Sequence, residues 1–264
     1  MNKFGVDNNG IIVTEVSADK VTSQYKPIVS EVLNSIVKEL ASQLDGVYMY
    51  GSVATGKAVE GKSDLDILLV LKDAPNNELS EKISILEKSL SEKYEPKLRG
   101  VGLTVTNVGE VTSEKEKYGY MCYIKHLCVC IYGNDVTKDV PAFHPSKEVA
   151  KGFNGDIGER LEFYKDKIEK ETSELELKKL SQEVSKKIVR TGFSLVMPRS
   201  GSWSTDLQSS FDIFAYYYPE RTSEMKTALD WARGVSVEKS AVIEFIKIFG
   251  QWLSEEFERE ISVN

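Results

Sequence analysis

The sequence predicts an α+β chain, a mixed sheet flanked by helices in the N-terminal part followed by a C-terminal α-helical bundle. Three observations predict it. Short apolar runs bounded by turn residues recur as far as Gly133, with segments of helical period between them. Beyond about residue 146 the apolar period is helical almost throughout. Between the two lies dense turn punctuation, Gly133-Asn134-Asp135 followed by Pro141 and Pro145. The domain boundary is therefore placed near residue 145, giving a first domain over 1–145 and a second over 146–264.

The elements follow in order. Residues 1–22 are weakly patterned, with IIVTEV at 11–16 an added edge strand. From Pro27, which suits a first helical turn, Ile28, Val29, Val32, Leu33, Ile36, Val37, Leu40 and Leu44 recur at helical spacing. Asp45-Gly46 then leads into an apolar strand, Val47 to Tyr50, which Gly51-Ser52 breaks. A second strand starts at Asp64 and runs through Leu71. Leu79, Ile83, Leu86 and Leu90 mark a helix that ends before Pro96. Gly100 to Val108 reads as a third strand, Glu114 to Leu127 as helical, and Cys128 to Gly133 as a closing strand. In the second part, Leu161, Tyr164 and Ile168 mark one helix. Leu177, Leu180, Val184, Ile188, Thr191 and Leu195 mark another, and Val242, Ile246, Phe249, Leu253 and Phe257 the last.

Composition narrows the function classes. A formal charge of −7 and a pI near 5.2 argue against a surface built to grip long nucleic acid, which calls for clustered Lys and Arg. The N-terminal MNKFGVDNNG has no apolar core or cleavage motif, and no apolar run approaches a membrane span, so a cytoplasmic protein is expected. Cys122, Cys128 and Cys130 cluster around His126 without the paired C-x2-C spacing of a structural zinc site, and read as reduced core packing. His144 reads as a linker residue.

The stretch Tyr50 to Val70, YGSVATGKAVEGKSDLDILLV, carries the chemistry. Side chains two apart on a strand share a face, so Asp64 and Asp66 converge while Leu65 and Ile67 face the opposite layer. Two carboxylates beside an open turn suit Mg²⁺, which takes oxygen ligands and usually completes its shell with water and substrate phosphates. Gly51 lets the backbone approach a phosphate and Ser52 offers a hydroxyl. Val53 to Lys57 is expected to begin a short helix whose N–H groups face the anion.

Gly-Ser, eleven residues, then Asp-x-Asp, with an apolar run on each side, resembles the signature of the DNA polymerase β-like nucleotidyltransferase superfamily. With a helical bundle behind it, the chain looks like the two-domain aminoglycoside adenylyltransferases that modify streptomycin and spectinomycin. The resemblance implies ATP as co-substrate, Mg²⁺ held by Asp64 and Asp66, and the terminal phosphates clamped at Gly51 and Ser52. It also implies a small-molecule hydroxyl as acceptor. One departure stands out. In the superfamily the third strand carries a third carboxylate, and the expected position here falls on Gly102 or Thr104, with Glu110 the nearest acid downstream. Its absence bears on activity or on how many metal ions the site holds. It keeps open a second reading, a catalytically impaired nucleotide-binding or regulatory protein.

In the second domain the resemblance rests chiefly on KKIVRTGFS at 186–194. It implies that Arg190 touches the nucleotide phosphates and that Arg199, in MPRSGSW after the helix, assists. Glu183 is then the general base toward the acceptor. Glu183 and Arg190 lie seven residues apart, close to two helical turns, and so share a stripe. Trp203, Asp206, Phe211, Asp212 and Tyr216 to Tyr218 offer either a cradle for a polycationic sugar or ordinary core and rim packing. Oligomeric state is not legible.

Overall fold

The computed structural model describes residues 3–262, which divide into two compact units. One comprises residues 13–142. The other joins the residues up to Ile12 to those from Phe143 onward.

The first unit is built on a four-stranded mixed sheet of order β3-β2-β1-β4: β1 Leu44–Tyr50, β2 Asp64–Leu71, β3 Gly100–Asn107 and β4 Cys128–Gly133. β1 runs antiparallel to both β2 and β4, whereas β3 runs parallel to β2. Such a parallel neighbour needs a crossover. The helix Asn77–Tyr94, between β2 and β3 in the chain, supplies it.

Helix α1, Lys26–Leu40, has proline in its first turn and buries Ile28, Val32, Ile36 and Leu40. Leu44, read from the sequence as the last residue of that helical stripe, is instead the first residue of β1. The helix stops at Leu40, where Gln43 closes a turn back onto its carbonyl. A single turn, α2 Gly51–Ala54, follows β1, and α3 spans Asn77–Tyr94 with the Asn76 side chain capping Leu79 N–H. α1 and α3 cover the sheet face bearing Val47, Met49, Leu65, Ile67 and Leu69. The opposite face carries Tyr48, Leu68 and Val70 against Val111, Ile124 and Cys128, from the turn α4 Val108–Val111, helix α5 Cys122–Leu127 and β4. Each fully buried aliphatic side chain contributes roughly 1.5–3 kcal/mol. Leu65 and Ile67 thereby hold down a strand entry whose other face carries two acids.

The second unit is helical: α6 Lys147–Asn154, α7 Ile157–Lys170, α8 Glu174–Ser200, α9 Leu207–Tyr217, α10 Thr222–Ala232, α11 Lys239–Phe245 and α12 Gln251–Phe257. α8 is its axis. It starts on the Ser173 cap and is amphipathic at first, but Thr191 to Met197 is buried without interruption because α6, α7, α9, α10 and α12 all pack on it. Val242, Ile246, Phe249, Leu253 and Phe257 are all buried along the last helical stretch, where a π-turn, Ile246–Gly250, joins α11 to α12.

The edge strand expected at 11–16 does not form. Its residues join no ladder, and the only pairing there is an isolated bridge between Val6 and Ile12 across the turn at Asp7 to Gly10. Phe4 and Ile12 are spent elsewhere. The Phe4 carbonyl accepts from Trp203 N–H, and Ile12 N–H donates to Phe143. Among the described residues no helix is long and apolar enough to cross a membrane.

Candidate active site

The site begins where β1 stops. Tyr50 pairs with Asp66 across the antiparallel ladder, so the chain must turn immediately beside that carboxylate. It does so through Gly51 at φ +74°, a left-handed conformation that glycine adopts without steric cost. The approach is close. A Cβ built on Gly51 would lie 2.2 Å from Asp66 Oδ2, so any side chain there would displace the acid. Ser52 is half-buried in the same turn. The short helix anticipated from Val53 starts earlier and is only one turn, so the backbone at the bend, rather than a helix dipole, is what this segment offers an anion.

Asp64 and Asp66 share the sheet face. Glycines in the partner strand report it: Cβ atoms built on Gly100 and Gly102 would lie 3.7 Å from Asp64 Oδ1 and 3.8 Å from Asp66 Oδ1. Both acids are half-buried, and the Asp66 carboxyl is pushed up to about 6 by burial and by the charge of Asp64, with Arg99 opposing. Desolvated like charges side by side are what a divalent cation neutralises. Among the described residues no group of three His, Cys, Asp or Glu gathers as a metal cage. The pair therefore fits an ion that draws its remaining ligands from water and phosphate, as Mg²⁺ does.

The third strand has no acid on this face. In the parallel register Asp64 faces Gly100, Asp66 faces Gly102 and Leu68 faces Thr104. Gly102 thus occupies the place beside Asp66, and beyond its chain neighbours only Asp66 Oδ1 lies within 4 Å of a Cβ built there. The place is open rather than plugged. Thr104 bonds Tyr50 Oη at 3.0 Å. Glu110 is held by Thr106, whose hydroxyl donates to it at 2.6 Å, and Thr106 stands roughly 13 Å along the strand from Gly102.

Residues 30–119 match the model of the nucleotidyltransferase domain, a span that contains the turn, both aspartates and all of β3. Over that part of the chain the protein resembles a nucleotidyltransferase domain. Its structure is similar to that of the spectinomycin adenyltransferase AAD(9) from Enterococcus faecialis, solved with ATP and spectinomycin, at a TM-score of 0.59 and 16% identity. The match covers 88% of this chain and 98% of that one, so the likeness in fold includes the helical part. Comparison with curated proteins by sequence gives no match.

Beside the aspartates stands one residue that the sequence does not single out. Arg99, immediately before β3, donates from Nε to Asp64 Oδ1 at 3.0 Å and from a terminal nitrogen to Oδ2. The signal was the basic residue preceding a strand in parallel register with the acidic one, which becomes visible only once the strands are paired. Of the three cysteines, Cys122 and Cys128 are buried in packing and Cys130 is half-buried, and burial pushes the Cys122 thiol up to about 12. His126 is buried beside Thr14, and His144 bonds the Gly10 carbonyl at 2.9 Å.

In the helical unit, Glu183 and Arg190 are both exposed on α8. Glu183 adjoins Tyr164 of α7 and, after burial, helps raise the phenol's pKa, while Arg160 reaches the same hydroxyl at 3.4 Å. Lys187, on the same stretch of α8, pairs with Asp156. Arg199 differs from the expectation. It does not sit in a loop after the helix but in the last turn of α8, which runs past Pro198 and stops at the left-handed Gly201. There its guanidinium lies over the Tyr217 and Tyr218 rings and donates to Tyr218 Oη at 2.9 Å, and Tyr218 in turn donates to Glu256. The aromatic run after it is mostly structural. Trp203 packs on Phe153, Tyr218 stacks on Phe214 and Asp206 caps α9, leaving Tyr216 the exposed ring.

Proposed function

We propose that the protein transfers the AMP of ATP to a hydroxyl of a small molecule of the aminoglycoside kind and releases pyrophosphate. One observation carries this reading. The Gly51 backbone lies so close to Asp66 that the glycine-serine turn and the aspartate pair form a single site, with the anion-accepting bend on one side and the cation-accepting acids on the other. Asp64 and Asp66 are the residues that would hold Mg²⁺, which when bound neutralises phosphate charge and polarises the phosphoryl group. Gly51 and Ser52 orient the terminal phosphates, so that the acceptor oxygen meets the α-phosphorus and the bond to pyrophosphate breaks. Most of the acceleration in such a site is placement and electrostatics.

The acceptor proton needs a destination, and β3 supplies none. In this reading Glu183 takes it, and Arg190 and Arg199 bear on the nucleotide phosphates as the resemblance implies, with Arg199 having to leave Tyr218 to do so. A second reading is favoured by Gly102: a protein that binds the nucleotide without turning it over.

Pyrophosphate release from MgATP across a panel of aminoglycosides and other hydroxylated acceptors tests both. Release that falls by about 100-fold or more in Asp64→Asn, with the circular dichroism spectrum kept, supports transfer. Binding of MgATP with no release for any acceptor supports the second reading. Full turnover in Glu183→Gln removes that residue from the scheme.

A further inference from the structure

Arg99 covers the carboxylate that a metal ion must take. Its Nε and a terminal nitrogen engage the two oxygens of Asp64 separately, so one guanidinium occupies both. The chain holds it in place: Arg99 N–H donates to the Ser63 carbonyl at 3.0 Å, and the next residue, Gly100, is the parallel partner of Asp64. Two-point pairing of this kind has directional strength that a lysine would lack. Yet the Arg99 side chain is 69% exposed, and an ion pair open to water is weak enough to exchange.

We infer that Arg99 is a positioning residue that occupies the metal-facing oxygens of Asp64 until a divalent cation arrives with a nucleotide, and then transfers its guanidinium to the triphosphate. The inference rests on the nucleotidyltransferase reading above. Its logic is a comparison of exchanges. A bare cation must displace the guanidinium and leave it without an anionic partner. A cation carried by a triphosphate displaces it and presents phosphate oxygens, for which the arginine fork is as well shaped as for a carboxylate. Arg99 therefore penalises metal alone and rewards metal with nucleotide, a coupling between two ligands through one side chain. It also gives the site a resident cation on the side of Asp64, in a pocket where β3 contributes no acid.

The test is Mn²⁺ binding, followed by electron paramagnetic resonance of the free ion, with and without a non-hydrolysable ATP analogue. Wild type, Arg99→Gln, Arg99→Lys and Asp64→Asn are compared after thermal melts establish that each is folded. In Arg99→Gln, Mn²⁺ alone is expected to bind about two- to fivefold more tightly, the range an exposed pair supports. The enhancement of Mn²⁺ binding by the analogue is expected to shrink by a similar factor or more. Arg99→Lys should fall between the two, since it keeps the charge but not the fork. Unchanged Mn²⁺ affinity and unchanged enhancement in Arg99→Gln would overturn the role of Arg99 alone. A wild-type protein that binds no Mn²⁺ with the analogue, or whose binding survives Asp64→Asn, would overturn the site itself and this inference with it.

Discussion

Among single residues, Gly51 is held under a tight constraint. Its φ of +74° costs any other L-residue about 1–2 kcal/mol, and the 2.2 Å approach of a Cβ to Asp66 Oδ2 adds a collision with an acid that is itself pinned between Leu65 and Ile67. Gly51→Ala is therefore expected to lower unfolding free energy by at least that amount in urea titration. It should also abolish Mn²⁺-nucleotide binding, because the acid must turn away. Retention of wild-type binding would mean that the bend and the aspartates work independently. Both halves of this pair were legible in the sequence, since strand alternation alone aligns Asp64 with Asp66 and a Gly-Ser break after an apolar run marks the bend. Arg99 was not, because its partner lies 35 residues away and only the parallel pairing of β3 with β2 brings the two together.

At the scale of elements, α8 decides the helical unit. Its stretch from Thr191 to Met197 is enclosed, and Gly192 leaves no room for a side chain: a Cβ there would meet Met225 Cε and lie 3.1 Å from Phe214 Cδ2. Replacing a helical glycine with alanine ordinarily stabilises by about 1 kcal/mol. Overpacking a filled core costs about 1–3 kcal/mol, and Met225 and Phe214 are both fully buried, so neither can retreat into water. The second effect wins, and Gly192→Ala is expected to destabilise by up to about 2 kcal/mol by chemical denaturation; a stabilised variant would show that Met225 and Phe214 can give way. Helical period located α1, α3, α7, α8 and the last stretch because each buries a stripe. It failed at the ends. Leu44 continued the period of α1 but belongs to β1, and Arg199, which the resemblance put after the helix, sits in one more helical turn, stopped by Gly201. The IIVTEV run had strand composition but no neighbouring strand to pair with, which composition cannot reveal.

At the scale of the whole molecule, charge separates a small phosphorylated ligand from a long one. The chain carries 34 Lys and Arg against 41 Asp and Glu. Many of the bases are interleaved with acids, as in the pairs Lys57–Glu15, Lys82–Glu39, Lys93–Glu31, Lys187–Asp156 and Lys226–Asp230. A duplex is held by several Lys and Arg neutralising successive phosphates, and each acid in that footprint subtracts from the effect. A nucleotide needs only a local site, because at about 0.15 M salt charges more than about 8 Å away are largely screened. The expected outcome is no mobility shift of a duplex DNA or RNA at protein concentrations up to about 10 µM in physiological salt, where basic proteins bind non-specifically. The same preparation should still bind Mn²⁺-nucleotide. A shift that weakens steeply as salt rises would reveal a basic track that the paired charges conceal, and would move the acceptor from a small molecule to a polymer.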